Sequence, residues 1–147
     1  MAEQTITAVQ TPIENKETKV RKKSKMITGR LGVANITVVG VGGGGCNTVA
    51  RLLQERPAGV TFVCVNTDAM ALQSLGGDGL VVVPIGASIT RGFGAGGNPN
   101  VGEQAALAGR TALRQVLSGS NIVFIAAGLG GGTGTGAAPV VAEIARK

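Results

Sequence analysis

Four short apolar runs stand out along the chain. Residues 36–39 (Ile-Thr-Val-Val), 61–65 (Thr-Phe-Val-Cys-Val), 80–83 (Leu-Val-Val-Val) and 122–126 (Ile-Val-Phe-Ile-Ala) are flanked by glycine, proline or polar turn residues. Runs of this length without a regular polar alternation predict strands buried on both faces. Between them, apolar positions recur at helical spacing. Val49, Leu52 and Leu53 share one face of a helix expected over residues 46–55, stopped by Pro57 and Gly59. Asn66, Thr67 and Asp68 are cap-type residues ahead of a short helix over 69–75. Asn98 as N-cap and Pro99 at the first helical position open a longer helix reaching about residue 117. Val101, Ala105, Ala108, Ala112 and Val116 form its predicted stripe. A last helix is expected from near Ala137, with Pro139 in its first turn and Lys147 at or just inside its end.

Strands alternating with helices predict an α/β fold: a Rossmann-like parallel sheet with helices on both faces. The commonest order for such a start sets strands one and four side by side at the centre. In this chain the other edge of strand four is then bare, and residues 122–126 are expected to promote aggregation. Residues 1–33 lack apolar periodicity and read as a disordered basic tail, leaving 34–147 as one domain.

Composition narrows the chemistry. The 147 residues include no His and only two cysteines, Cys46 and Cys64. A conventional zinc site wants about four nitrogen or sulfur ligands, and Ser–His or Cys–His catalysis needs an imidazole. Both are excluded, and no catalytic or metal-ligating set is assigned. Two cysteines make no disulfide framework, so reduced thiols in a cytoplasmic protein are expected. No apolar run reaches the roughly 18–20 residues of a membrane helix, so no membrane insertion is expected. The net charge of +6 is concentrated early: residues 1–30 carry seven basic and three acidic side chains, including Arg21, Lys22, Lys23 and Lys25. Such a run reads first as a solvated arm and second as a contact for an acidic surface. Three Phe and no Trp or Tyr leave little to stack on bases, so no nucleic-acid partner is expected.

Fifteen of the 25 glycines fall in three clusters, at residues 40–45, 92–97 and 128–136. Each cluster lies between a predicted strand and a predicted helix, hence along the carboxyl edge of the sheet. A strand–glycine loop–helix unit presents backbone N–H groups at a helix N-terminus, where the dipole adds about half a positive charge. Without a Cβ in the way, a phosphate can approach the backbone. Asn47, Thr133 and Thr135 are candidate side-chain donors. The first cluster matches G-x-G-x-x-G, but no G-x-x-x-x-G-K-[ST] is present and no lysine lies in the three loops. Phosphate charge would fall to backbone N–H groups and magnesium, with Arg91 the one nearby cation. Hydrogen bonds of about 1.5–3 kcal/mol each to phosphate support micromolar binding, roughly −8 kcal/mol. A dinucleotide enzyme would want an acidic residue at the end of strand two; Asp68 sits slightly late, which keeps an NAD-binding oxidoreductase as the alternative.

The segment Gly130-Gly131-Gly132-Thr133-Gly134-Thr135-Gly136-Ala137-Ala138-Pro139 resembles the GGGTGTGxAP signature of the tubulin/FtsZ GTPase family, whose FtsZ branch acts in bacterial cell division. GVGGGGCN at 40–47, VNTD at 65–68 and TRGFGAGGNP at 90–99 agree in order and spacing, so the resemblance covers residues 34–147. It implies GTP as ligand, with magnesium held through its phosphates. Gly43, Gly44, Gly45, Cys46 and Asn47 would line the phosphate and base side. Asn66 and Asp68 would lie near phosphates and metal. Gly94, Ala95, Gly96 and Gly97 would sense the γ-phosphate, and Gly131, Gly132, Thr133, Gly134 and Thr135 would wrap the α- and β-phosphates. Cys46 stands where many relatives have Gly and reads as a packing residue. The resemblance further implies head-to-tail filaments at midcell in the cytoplasm, with other cell-division proteins as possible partners. Family members continue well beyond this length, so the chain is expected to be about the first half of the GTPase domain, without the downstream loop that completes hydrolysis. A non-enzymatic fragment that interacts with the intact protein is the third reading.

Overall fold

The computed structural model describes residues 34–55 and 57–147; the predicted disordered tail, residues 1–33, lies outside the described residues. In chain order the elements are β1 (Ile36–Val41), α1 (Gly42–Gln54), β2 (Val60–Asn66), α2 (Ala69–Ser74), β3 (Leu80–Pro84), α3 (Ala87–Thr90), α4 (Pro99–Ala108), α5 (Arg110–Leu117), β4 (Ile122–Ala127) and α6 (Gly132–Ala145).

All described strand pairings are parallel, in the order β3-β2-β1-β4. The expected adjacency of the first and fourth strands holds, from Ile36 beside Ile122 to Val41 beside Ala127. Among the described residues β4 is an edge strand rather than a central one.

Side chains alternate across the sheet, as the pleat requires. One face gathers Val39, Val41, Val63, Val65 and Val83 against Ala105 and Ala106 of α4, Leu113 of α5 and Val141 of α6. The opposite face sets Phe62 and Cys64 against Cys46 and Val49 of α1 and Leu72 of α2. This second layer reaches only the carboxyl end of β4, where Gly45 of α1 abuts Ala126, and leaves Phe124 57% and Ile122 44% exposed.

Three helix boundaries differ from expectation. The first helix begins at Gly42 and the last at Gly132, so both glycine runs supply the opening turns rather than a loop before them. Pro139 consequently sits inside α6, not in its first turn, and removes one backbone donor from the helix. The long helix predicted to reach residue 117 is interrupted at Gly109, where an added Cβ would lie 2.7 Å from Ile85 Cγ2. The interruption moves the stripe: Leu113 and Leu117 are buried, whereas Ala108 and Ala112 are exposed. The glycine-rich segment after β3 also contains the one-turn helix α3.

Glycine in a helix costs about 0.5–1 kcal/mol relative to alanine. It is retained in α6 because α4 crosses at backbone range. A Cβ on Gly132 would lie 2.7 Å from Asn98 N and 2.8 Å from Ala95 Cβ, and one on Gly136 would overlap the Pro99 carbonyl.

Candidate functional site

The β1–α1 and β4–α6 junctions stand side by side because β1 and β4 are neighbours. Between them is a cleft of about 310 Å³ lined by Val41, Gly42, Gly43, Gly44, Gly128, Leu129, Gly131, Gly132, Thr133 and Gly134. It lies at the carboxyl ends of parallel strands, where such sheets bind ligands. A Cβ added at Gly43, Gly130 or Gly131 would meet nothing within 4 Å, so these positions border open space.

The amides at this cleft have a particular status. Where α2 and α4 start, a side chain accepts from the first turn: Asp68 Oδ1 from Ala71 N and Asn98 Oδ1 from Asn100 N. No side chain caps α1 or α6, and neither carries an acidic residue in its first turn. The first N–H groups of a helix have no intrahelical acceptor, and the dipole is positive there. Two uncapped helices of 13 and 14 residues thus open onto one glycine-lined cleft. Its lining contains no lysine, arginine or carboxylate, so the backbone supplies the positive potential.

The structure separates the candidate residues into groups. Gly43, Gly44, Gly131, Gly132, Thr133 and Gly134 line the cleft. Gly45 and Cys46 are buried against the sheet. A Cβ on Gly45 would overlap the Ala126 carbonyl, and the Cys46 thiol donates to the Gly40 and Val65 carbonyls at 3.5 Å. A hydrogen bond shared with Cys64, reinforced by burial, pushes the Cys46 thiol far above its ordinary pKa, which makes it a neutral packing group. Asn47 is exposed along α1. Thr135 Oγ1 accepts from Gly130 N at 3.0 Å and so braces the turn before α6.

Asn66 and Asp68 organise the loop after β2. The buried Asn66 Oδ1 accepts from Thr67 N at 2.9 Å, and Asp68 caps α2. Gly94 donates its N–H to the Thr67 carbonyl at 3.3 Å; Ala95 is buried, while Gly96 and Gly97 are exposed with positive φ. Gly132 is in close approach to Ala95 and Asn98, so the 92–97 loop abuts the first turn of α6. None of Asn66, Asp68 or residues 94–97 lines the cleft itself.

Sequence reasoning missed five contributors. Val41, Gly42, Gly128 and Leu129 complete the cleft wall, and Thr67 links the loops through its hydroxyl, 2.6 Å from that of Thr133. Gly128 lay within the third glycine cluster and could have been taken from it. Thr67 offered only its place inside VNTD, since a buried threonine pair is a matter of tertiary geometry.

The residues fit a phosphate chain: open glycine backbone, uncapped amides and no competing carboxylate at the cleft. Among the described residues no three His, Cys, Asp or Glu side chains cluster to hold a metal. Magnesium usually keeps several waters and binds through one or two carboxylates plus substrate phosphates. Asp68, at the adjoining loop, is the available carboxylate for that mode.

A parallel α/β sheet with a glycine-lined cleft at its carboxyl edge is an architecture shared by many nucleotide-binding folds. The particular family follows from comparison. Residues 35–147 match the Tubulin/FtsZ family, GTPase domain. The chain belongs to that family. It is 51% identical over 112 residues to cell division protein FtsZ of Pseudomonas putida, covering 76% of this chain and 28% of the relative. It is 48% identical over 139 residues to cell division protein FtsZ 1 of Pyrococcus woesei, covering 95% and 36%. Among solved structures, an empty FtsZ dimer of M. jannaschii aligns with a TM-score of 0.73 at 50% identity, over 78% of this chain and 33% of that one. A GTPγS-bound protofilament of CetZ2 from Haloferax volcanii aligns with a TM-score of 0.64 at 31% identity, over 74% and 36%. The chain spans about a third of the length of the relatives it matches.

Proposed function

We propose that this chain supplies the phosphate-binding part of a GTPase that binds GTP with magnesium and assembles head to tail in cell division. The observation that carries the reading is the convergence of two uncapped helix N-termini on one glycine-lined cleft. Family membership favours guanine nucleotide over the NAD alternative.

In this reading the first-turn amides of α1, at Gly43 and Gly44, and those of α6, at Gly132, Thr133 and Gly134, donate to the α- and β-phosphates. Gly45, Cys46 and Asn47 support the α1 side from behind and alongside. Gly131 and Thr135 shape the turn into α6. The loop with Gly94, Ala95, Gly96 and Gly97 faces the terminal phosphate, and Asn66 and Asp68 hold the neighbouring loop, with Asp68 available to the magnesium hydration shell. Magnesium, when bound, offsets phosphate charge that no lysine here can meet. The residues at the cleft hold and orient the ligand; they include no general base or acid.

Hydrolysis therefore draws a water-orienting group from outside these residues, supplied when a second subunit closes over the nucleotide. The protofilament form of a 31%-identical relative supports that arrangement. Filament growth in the cytoplasm at the division site, alongside other division proteins, belongs to the same reading. Among the described residues no helix is long and apolar enough to cross a membrane. The absence of a carboxylate from the cleft lining favours, as a second reading, a chain that binds GTP without turning it over by itself.

Calorimetry of the 147-residue chain with GTP and magnesium tests the proposal, with ATP and NAD as controls. Selective GTP binding near the micromolar range, with no phosphate release by the chain alone, is expected. NAD binding without GTP binding would overturn it.

A further inference from the structure

Thr67 joins three segments that meet near the cleft. Its hydroxyl pairs with that of Thr133, in the first turn of α6, at 2.6 Å. Its carbonyl accepts from the Thr90 hydroxyl and from Gly94 N, both at 3.3 Å. Its own N–H donates to Asn66 Oδ1 at 2.9 Å. Thr67 is 2% exposed, and Thr90 and Thr133 are each 9% exposed.

From this we infer that Thr67 is a positioning residue coupling the 94–97 loop to the first turn of α6. The inference deepens the proposed function and rests on it for the nucleotide. Gly94 is on a loop and Thr133 in the first turn of α6, and a two-bond path through a single residue connects them. A loop that moves toward the terminal phosphate pulls on the Thr67 carbonyl; the same residue's hydroxyl orients Thr133, beside the amides offered to the inner phosphates. Buried hydrogen bonds are directional and costly to leave unmade, so a displacement at one end is passed on rather than absorbed by solvent. The close approach of Gly132 to Ala95 sets the spacing of the two loops. The Thr67 bonds set their relative orientation.

The same sheet contains an internal control. Thr37 and Ser120 form a second hydroxyl pair, at 2.8 Å, near the opposite end of the strands. Thr37 is 4% exposed and the pair part-buried, so losing it removes a hydroxyl–hydroxyl bond of the same type remote from the cleft.

The coupling is testable in the full chain without nucleotide, by backbone amide hydrogen exchange. Thr90→Val removes the hydroxyl bond to the Thr67 carbonyl, along with that hydroxyl's contacts to the Gly86 carbonyl at 3.1 Å and Gly92 N at 3.3 Å, which the comparison of the two backgrounds cancels. It is expected to raise exchange at Gly136 and Ala137, whose N–H groups close the first turn of α6 onto the Gly132 and Thr133 carbonyls, about threefold or more, and to do so by less than about 1.5-fold in a Thr67→Val background. Equal effects in both backgrounds would overturn the inference. Thr67→Ser, which keeps the hydroxyl, restores the wild-type response; failure of that rescue also counts against it.

With nucleotide, Thr67→Val should weaken GTP binding about tenfold and Thr67→Ser about twofold or less. Thr37→Val should lower the unfolding midpoint while leaving GTP affinity unchanged. An unchanged affinity in Thr67→Val would overturn the inference even if that variant were destabilised. If the wild-type chain binds no GTP but the exchange cycle is non-additive, the coupling stands and the proposed function fails. If GTP binds and the cycle is additive, the function stands and the coupling fails.

Discussion

Gly42 meets Gly134 backbone to backbone: a Cβ added to Gly42 would lie 2.7 Å from Gly134 N, at a residue with a φ of +70°. This contact brings the opening turns of α1 and α6 within phosphate-spanning reach of each other. It requires glycine twice over, for the left-handed conformation and for the lack of space.

Gly42→Ala should therefore destabilise the fold itself. Overpacking costs about 1–3 kcal/mol and a left-handed alanine about 1–2 kcal/mol. Chemical unfolding of the full chain should show a loss of about 2–5 kcal/mol, together with loss of GTP binding. A stability within about 0.5 kcal/mol of wild type would contradict the close approach.

Gly43→Ala separates site from fold. Gly43 is in α1 with open space where its Cβ would stand. Alanine there is neutral or stabilising by up to about 1 kcal/mol, since glycine is the poorer helix residue. The new methyl group protrudes where phosphate is proposed to approach. We expect unchanged or improved thermal stability with at least about tenfold weaker GTP binding, roughly 1.4 kcal/mol. Undiminished affinity would move the phosphate away from the α1 turn.

Cys46 makes stability pH-dependent in the alkaline range. Its native pKa is raised, so the thiol stays protonated in the folded chain while the unfolded chain releases the proton above about pH 8.5. For Cys46 the unfolded chain then binds fewer protons than the folded one, so its contribution falls as pH rises past that value, by at most about 1.4 kcal/mol per pH unit; the same hydrogen bond lowers the Cys64 thiol, which offsets part of this fall. Unfolding midpoints at pH 7.5 and 9.5 should differ more in the wild type than in Cys46→Ala. Identical slopes would show that Cys46 does not contribute.

Phe124 and Ile122 are the exposed apolar residues of β4, and among the described residues β4 pairs only with β1. An apolar edge strand is a template for a further strand. The 147-residue chain is expected to self-associate with concentration, and Phe124→Glu should reduce this measurably in light scattering without a large loss of stability. A monodisperse wild type at high concentration would refute the expectation.

Much of this architecture is legible in the residues one at a time. Four β-branched runs with intervening helical stripes are enough for a parallel sheet, because period and length are local properties. Asn98-Pro99 and Asp68 mark helix starts through cap chemistry that depends on neighbours in the chain. The three glycine clusters, set between strands and helices, place the candidate site at the carboxyl edge.

Other features exist only once distant segments meet. The helices begin at Gly42 and Gly132 rather than after the glycines, because close packing on α6 and α4 outweighs glycine's poor helical propensity. The predicted stripe through Ala108 and Ala112 shifts to Leu113 and Leu117 across a break at Gly109, a residue that leaves room for Ile85 on another segment. Gly45 and Cys46 turn toward the sheet while Gly43 and Gly44 line the cleft, a division set by which side of α1 meets β2 and β4. The pairing of Thr67 with Thr133, 66 residues apart, leaves no local trace. The sequence alone determined the kind and order of the elements and the glycine-rich junctions between them, since both follow from local backbone preference. Tertiary structure alone decided which glycines line the cleft and which loops are joined through Thr67, since both depend on contacts between segments far apart in the chain.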